Sequence, residues 1–177
     1  MSTTWPERSA GEPSTAAPDA IPSTIAVRGH PIHPMLVTLP IASLLGLVGT
    51  DLAYYATLDP FWARVSYLLA AAGAVTGAVA GAAGAIDLLY AGGAAKLPSA
   101  RIHAGGNLLV VLLAIVNWFA REGDPGAFIL SWGLWLSIGT AMLLFITGWA
   151  GGELAYRHRI GVIPRSNRDE AIRPGIR

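Results

Sequence analysis

This sequence predicts an all-α fold, a polytopic membrane protein with four transmembrane helices in a bundle, on three observations. Four apolar stretches each reach or approach the ~20 residues that a spanning helix needs. Of the 177 residues, 53% are hydrophobic and 13% charged, with a mean hydropathy of +0.51, whereas a soluble domain is usually about a quarter charged. Ten of the twelve Lys and Arg fall on one side of a four-span arrangement.

Residues 1–27 carry Pro6, Pro13, Pro18 and Pro22 among Ser, Thr and Ala. With no apolar core they read as a disordered cytoplasmic tail, and no cleavable signal peptide is visible. The transmembrane domain covers residues 28–158, with spans at about 35–56, 64–90, 102–120 and 128–150. Residues 159–177 form an Arg-rich tail with Pro164 and Pro174, suited to anionic headgroups or a cytoplasmic partner.

Orientation follows from the basic residues. Arg8, Arg28, Lys96, Arg101, Arg157, Arg159, Arg165, Arg168, Arg173 and Arg177 share the side of both termini, and only Arg64 and Arg121 lie opposite. The positive-inside rule places both termini, and all four histidines, on the cytoplasmic side of the cell (inner) membrane. Trp and Tyr agree, falling near both expected interfaces. A net charge of +1 gives no footing for nucleic acid. With no cysteine, disulfides, thiolate metal sites, cysteine-ligated iron–sulfur clusters and covalently attached haem c are excluded.

The chain also shows internal symmetry. Asp59-Pro60 and Asp124-Pro125 follow spans one and three, 65 residues apart. Asp87-Leu-Leu-Tyr90 and Glu153-Leu-Ala-Tyr156 end spans two and four, 66 apart, and His33 and His103 open spans one and three, 70 apart. A 2+2 parallel repeat, with a pseudo-twofold axis along the membrane normal, would make those histidines symmetry mates. Chance is the competing explanation, because the matches are short and the chain is largely Ala, Gly and Leu.

The candidate site is built on these histidines. In His30-Pro31-Ile32-His33-Pro34, each His precedes a proline and is pushed out of the helical region, while Pro34 suits a first helical turn. Such a pair could ligate a metal or simply bond headgroups and loop carbonyls. Asn107 lies one turn beyond His103 on the same face, where it could orient the ring or bond a ligand. Asp87 and Glu153 are ionisable groups near span ends, each a site candidate, with pairing to Arg101, Arg157 or Arg159 as the competing role. Asp51 belongs to the opposite face, where it could pair with Arg64 or Arg121, and it stays outside the expected site. Asn117 reads as an interhelical hydrogen bond. Gly73, Gly77, Gly81 and Gly84, the first three at four-residue spacing, read as a packing seam, and Pro40 should kink span one.

Gly29-His-Pro-Ile-His-Pro-Met-Leu-Val-Thr-Leu-Pro-Ile41 resembles the bacterial membrane family known as domain of unknown function 2231. So does Gly148-Trp-Ala-Gly-Gly-Glu-Leu-Ala-Tyr-Arg-His158, followed by Arg-Ile-Gly-Val162, and the likeness covers about residues 28–163. The resemblance implies an integral membrane protein without an established activity. It also implies an association with Rieske or cytochrome modules, hence redox chemistry, although neither module lies in these 177 residues.

Three functions are expected in order. The first is membrane redox chemistry, with haem b held by His33 and His103 and with Asn107 beside them. In its metal-ion version the ligands are His30, His33, His103, Asp87 and Glu153, a mixed nitrogen–oxygen set for a divalent ion. The second is a non-catalytic scaffold or subunit that docks a cytoplasmic partner. The third is a small ion or proton transporter using Asp87, Glu153 and His103. No nucleophile–base pairing or phosphate-binding loop is present, so hydrolase and kinase activities have no support.

Overall fold

Three of the four long helices begin at a proline. A proline at the first helical position gives up no hydrogen bond and arrives with φ already set. The computed structural model describes residues 21–28, 30–90 and 92–162. Within them α1 spans Ile32–Thr57, α2 Pro60–Tyr90, α3 Pro98–Ala120 and α4 Pro125–Tyr156, each long and apolar enough to cross a membrane. Every helix starts three or four residues before the span expected from the sequence. Asp59 accepts a bond from the Phe61 amide at 2.9 Å, and Asp124 accepts one from Ala127 at 3.0 Å. These are N-caps satisfying otherwise orphaned donors. Leu58 takes a left-handed conformation, φ 55°, to close α1, and a 3-10 turn, Gly92–Lys96, joins α2 to α3.

Pro40 perturbs α1 as its chemistry requires. Its ring crowds the carbonyl four residues back and it donates no bond. The helix is interrupted at Val37, between Ile32–Leu36 and Thr38–Thr57. In α4 a π-helical segment, Ile129–Gly133, follows the first turn.

The principal packing runs α1–α2, α2–α3, α3–α4 and α4–α1, which leaves α1 and α3 diagonally opposite. Outward faces carry Leu68, Val75, Leu108, Leu112, Met142 and Phe145, as a lipid-facing surface should. Inward positions are mostly small. A Cβ added at Gly73 would come within 2.6 Å of the Leu44 side chain, so α1 and α2 approach as closely as a glycine allows. Gly77 also packs, but Gly81 faces open space, so the predicted seam is shorter than its spacing suggested.

The two halves match in register. Pro40, Leu44, Leu47 and Asp51 are buried in α1, and Val110, Ala114, Asn117 and Arg121 are buried 70 residues later. Ala70, Gly73, Ala74, Ala80 and Ala83 are buried in α2, and Ser137, Thr140, Ala141, Thr147 and Ala150 are buried 67 residues later. Each half is therefore a helical hairpin with the same buried stripe, running in the same direction.

At the histidine end, β1 (Ala26–Val27) pairs antiparallel with β2 (His30–Pro31), and Ile21 bridges to Ile160. Residues 21–28 thus run back over the end of the bundle. The rest of the expected tails, 1–20 and 163–177, lies outside the described residues.

Candidate functional site

His33 and His103 meet across the diagonal of the bundle. Their ring centroids are 5.9 Å apart and the ring planes are nearly perpendicular, at 86°. Each ring is held the same way by its own hairpin. His33 Nδ1 lies 2.8 Å from the Ala80 carbonyl, and His103 Nδ1 lies 2.9 Å from the Thr147 carbonyl. Ala80 and Thr147 are repeat-equivalent. Because a carbonyl oxygen only accepts, each Nδ1 must carry a proton, and in a neutral ring that arrangement leaves the lone pair on Nε2.

Glycines make these seats. A Cβ at Gly84 would lie 2.8 Å from the His33 ring, and one at Gly151 would lie 2.7 Å from the His103 ring. Both close approaches involve Nδ1 and Cε1, so the two rings rest on their glycines in the same pose.

Asn107 is where the one-turn spacing put it. Its amide donates to the His103 carbonyl at 2.7 Å, and its Oδ1 lies 3.1 Å from the Thr147 hydroxyl. The Asn107 nitrogen also comes within 3.2 Å of His103 Nδ1. Two donors cannot share a bond, and with the Nδ1 proton directed at Thr147 that approach is contact only. Asn107 therefore ties α3 to α4 beside the ring rather than setting the tautomer.

The other expected site residues lie elsewhere at this end. Asp87 caps the returning N-terminal segment: its carboxylate accepts from Ser23 Oγ (2.7 and 2.8 Å), the Thr24 amide (2.7 Å) and the Ile25 amide (3.1 Å). Glu153 pairs with Arg157 at 2.9 Å on an exposed helix face. His30 Nδ1 bonds the Arg28 carbonyl in an exposed turn, at 3.2 Å. Among the described residues, no group of three or more His, Asp or Glu is placed to hold a metal ion.

The opposite end holds a second polar cluster, which the expected site did not include. Asp51 and Arg121 are fully buried and joined in two parallel bonds of 2.8 and 2.7 Å. Ser66 and Ser137 donate to the two Asp51 oxygens at 2.6 and 2.7 Å. Arg121 Nε donates to Asn117 at 2.8 Å, and Asn117 donates to Ser137 at 3.0 Å. Thr50 bonds Ser66 at 2.8 Å, and the Phe128 ring lies 5.7 Å from the guanidinium carbon. Every buried polar side-chain atom among the described residues has a partner, as a low-dielectric interior demands. Of the two cations proposed for Asp51, Arg121 is the partner, and Arg64 is exposed. The signal that could have found the pair is the 70-residue offset shared by Asp51/Arg121 and His33/His103. Eighteen residues separate His33 from Asp51, about 27 Å along a helix, so the two polar layers sit at opposite borders of the hydrocarbon.

Neither the curated proteins nor the solved structures include a significant match to the chain. A family profile described as predicted membrane protein (DUF2231) matches residues 29–164, which contain all four helices, the paired imidazoles and the buried ion pair. Over that span the chain belongs to this family of predicted membrane proteins, domain of unknown function 2231.

Proposed function

We propose that this protein is a membrane redox protein that binds one haem b on the bundle axis, with His33 and His103 as the two axial ligands. The observation that carries the reading is the facing pair of imidazoles, each with Nδ1 committed to a carbonyl. A metal-ligating histidine almost always gives its other N–H to such an acceptor, which fixes both tautomer and ring orientation.

Haem is favoured over a bare divalent ion by what else is within reach. Porphyrin supplies its own four equatorial nitrogens, so two histidines are a sufficient protein contribution. The mixed set needs carboxylates, and Asp87 and Glu153 are engaged by Ser23 and Arg157. When bound, haem b supplies one-electron transfer. The residues around it hold the ligands: Ala80 and Thr147 orient the rings, Gly84 and Gly151 give them room, and Asn107 braces α3 against α4. The excess of Lys and Arg at this end supports placing the site on the cytoplasmic side.

The test is an absorption spectrum of detergent-purified protein, oxidised and dithionite-reduced, with metal analysis on the same sample. A Soret band with sharp reduced bands, lost in His33→Ala and His103→Ala, is the expected result. A flat spectrum after expression with ample haem and iron would overturn the reading. Stoichiometric non-haem metal in that flat sample would move the assignment to a bare ion.

A further inference from the structure

The two imidazole seats are built alike but braced differently. Beside His103, Asn107 reaches the Thr147 hydroxyl at 3.1 Å and so ties α3 to α4. The repeat register puts Val37 and Ala80 where the second half has Asn107 and Thr147. Neither side chain can make a hydrogen bond, so the His33 seat has no such tie.

The backbone that carries each ring differs as well. His103 lies inside an unbroken helix of 23 residues, whose first turn buries Ser99 and Ala100. His33 lies in a five-residue piece, Ile32–Leu36, that buries none of its residues and stops at Val37. Pro40 has no N–H to give the Leu36 carbonyl, which weakens the join to the rest of α1. Ahead of this piece, the Ile32 amide bonds the Ile25 carbonyl at 3.0 Å, coupling it to the β1–β2 hairpin. That hairpin is latched to α2 where Asp87 accepts from Ser23, Thr24 and Ile25. His33 therefore rides on a flap with its hinge at Val37 and its latch at Asp87.

We infer that His33 is a displaceable ligand: with haem held as proposed above, on which this inference rests, the flap lifts and a small uncharged diatomic molecule takes its place on the iron. The His33 ring is set against the Ala80 carbonyl, Gly84 and the His103 ring. None of these is a cation, and Asp87 lies one turn beyond Gly84 on α2, so an anion finds no partner there. The iron–Nε2 bond breaks, a bond from the iron to the incoming molecule forms, and no proton or net electron moves. His103, braced by Asn107, stays in place. The site then answers to a dissolved gas as well as to an electron donor.

The full chain would be purified in detergent with its haem, reduced with dithionite and mixed with carbon monoxide, following the Soret band. A saturable shift is expected, at a rate that levels off as carbon monoxide rises because the flap must open first. Unlatching in Asp87→Ala should raise that limiting rate about tenfold or more. Pro40→Ala, which restores the missing N–H and continues the helix, should lower it about fivefold or more. A Soret band that carbon monoxide does not shift would overturn the inference and leave the haem reading standing. A sample with no Soret band would remove both. A rate proportional to carbon monoxide throughout would show a position already open, and parent-like rates in both variants would show that the flap does not carry the ligand. Either result would overturn displacement of His33. Faster uptake in Asn107→Leu, with Asp87→Ala unmoved, would do so too by making His103 the ligand that leaves.

Discussion

The ring of His103 rests against Gly151 as that of His33 rests against Gly84, with the same two ring atoms at closest approach. Glycine in a helix normally weakens it by roughly 0.5–1 kcal/mol relative to alanine, so these two positions forgo stability for the sake of the ring. Gly84→Ala and Gly151→Ala should therefore displace the imidazole and abolish the axially ligated haem spectrum. Gly81→Ala and Gly148→Ala, where an added Cβ meets nothing within 4 Å, should leave that spectrum intact and raise thermal stability slightly. Equal effects in the two sets would show that the glycines do not act through the rings.

The buried ion pair should respond asymmetrically to single and double replacement. Removing either partner strands a charge in a dry interior, a loss of about 3–5 kcal/mol. Asp51→Leu and Arg121→Met alone should each lower the unfolding midpoint in detergent sharply. The double variant should recover much of the loss, since no charge is then left unpaired. A double variant as unstable as the sum of the two singles would show that Asp51 and Arg121 are not coupled.

Asp87 holds the N-terminal segment to the end of α2 through Ser23, Thr24 and Ile25. Hydrogen bonds to a charged acceptor contribute about 1.5–3 kcal/mol each. In Asp87→Ala, amide hydrogen exchange at residues 23–32 should accelerate by at least tenfold while protection in α3 stays unchanged. Unaltered exchange in the segment would mean that the β1–β2 hairpin holds itself in place.

Glu153 and Arg157 lie one turn apart on an exposed face of α4, with side-chain exposures of 34% and 76%. Such pairs contribute about 0.3–0.5 kcal/mol at most. Glu153→Gln should leave the detergent melting temperature within about 1 °C of the parent. A larger drop would assign Glu153 a structural role that its visible bond does not explain.

Hydropathy made the four helices legible because a bilayer crossing demands a long apolar run and little else. Their first turns were not, since Pro60, Pro98 and Pro125 start the helices three or four residues ahead of the expected spans. The pairing of His33 with His103 followed from reading the halves as repeats, and Asn107 from helical periodicity. Asp51 and Arg121 were harder, because hydropathy puts Arg64 and Arg121 at the same border and only the shared register chooses between them. Asp87 was least legible. Its partners come from a short polar segment whose composition reads as tail, and backbone amides such as those of Thr24 and Ile25 leave no mark on a sequence.

Equivalent positions that carry opposite charges restrict how such hairpins can assemble. Two copies of the first half, docked as the halves dock here, would set Asp51 against Asp51 in a dry interior. Two copies of the second would set Arg121 against Arg121. Either arrangement buries like charges at close range with nothing to neutralise them. At the other end, where both halves present histidine, any combination would be tolerated. One border of the membrane thus favours unlike partners while the other accepts two of a kind, so the halves can share the seating of their imidazoles and still be kept from pairing with themselves.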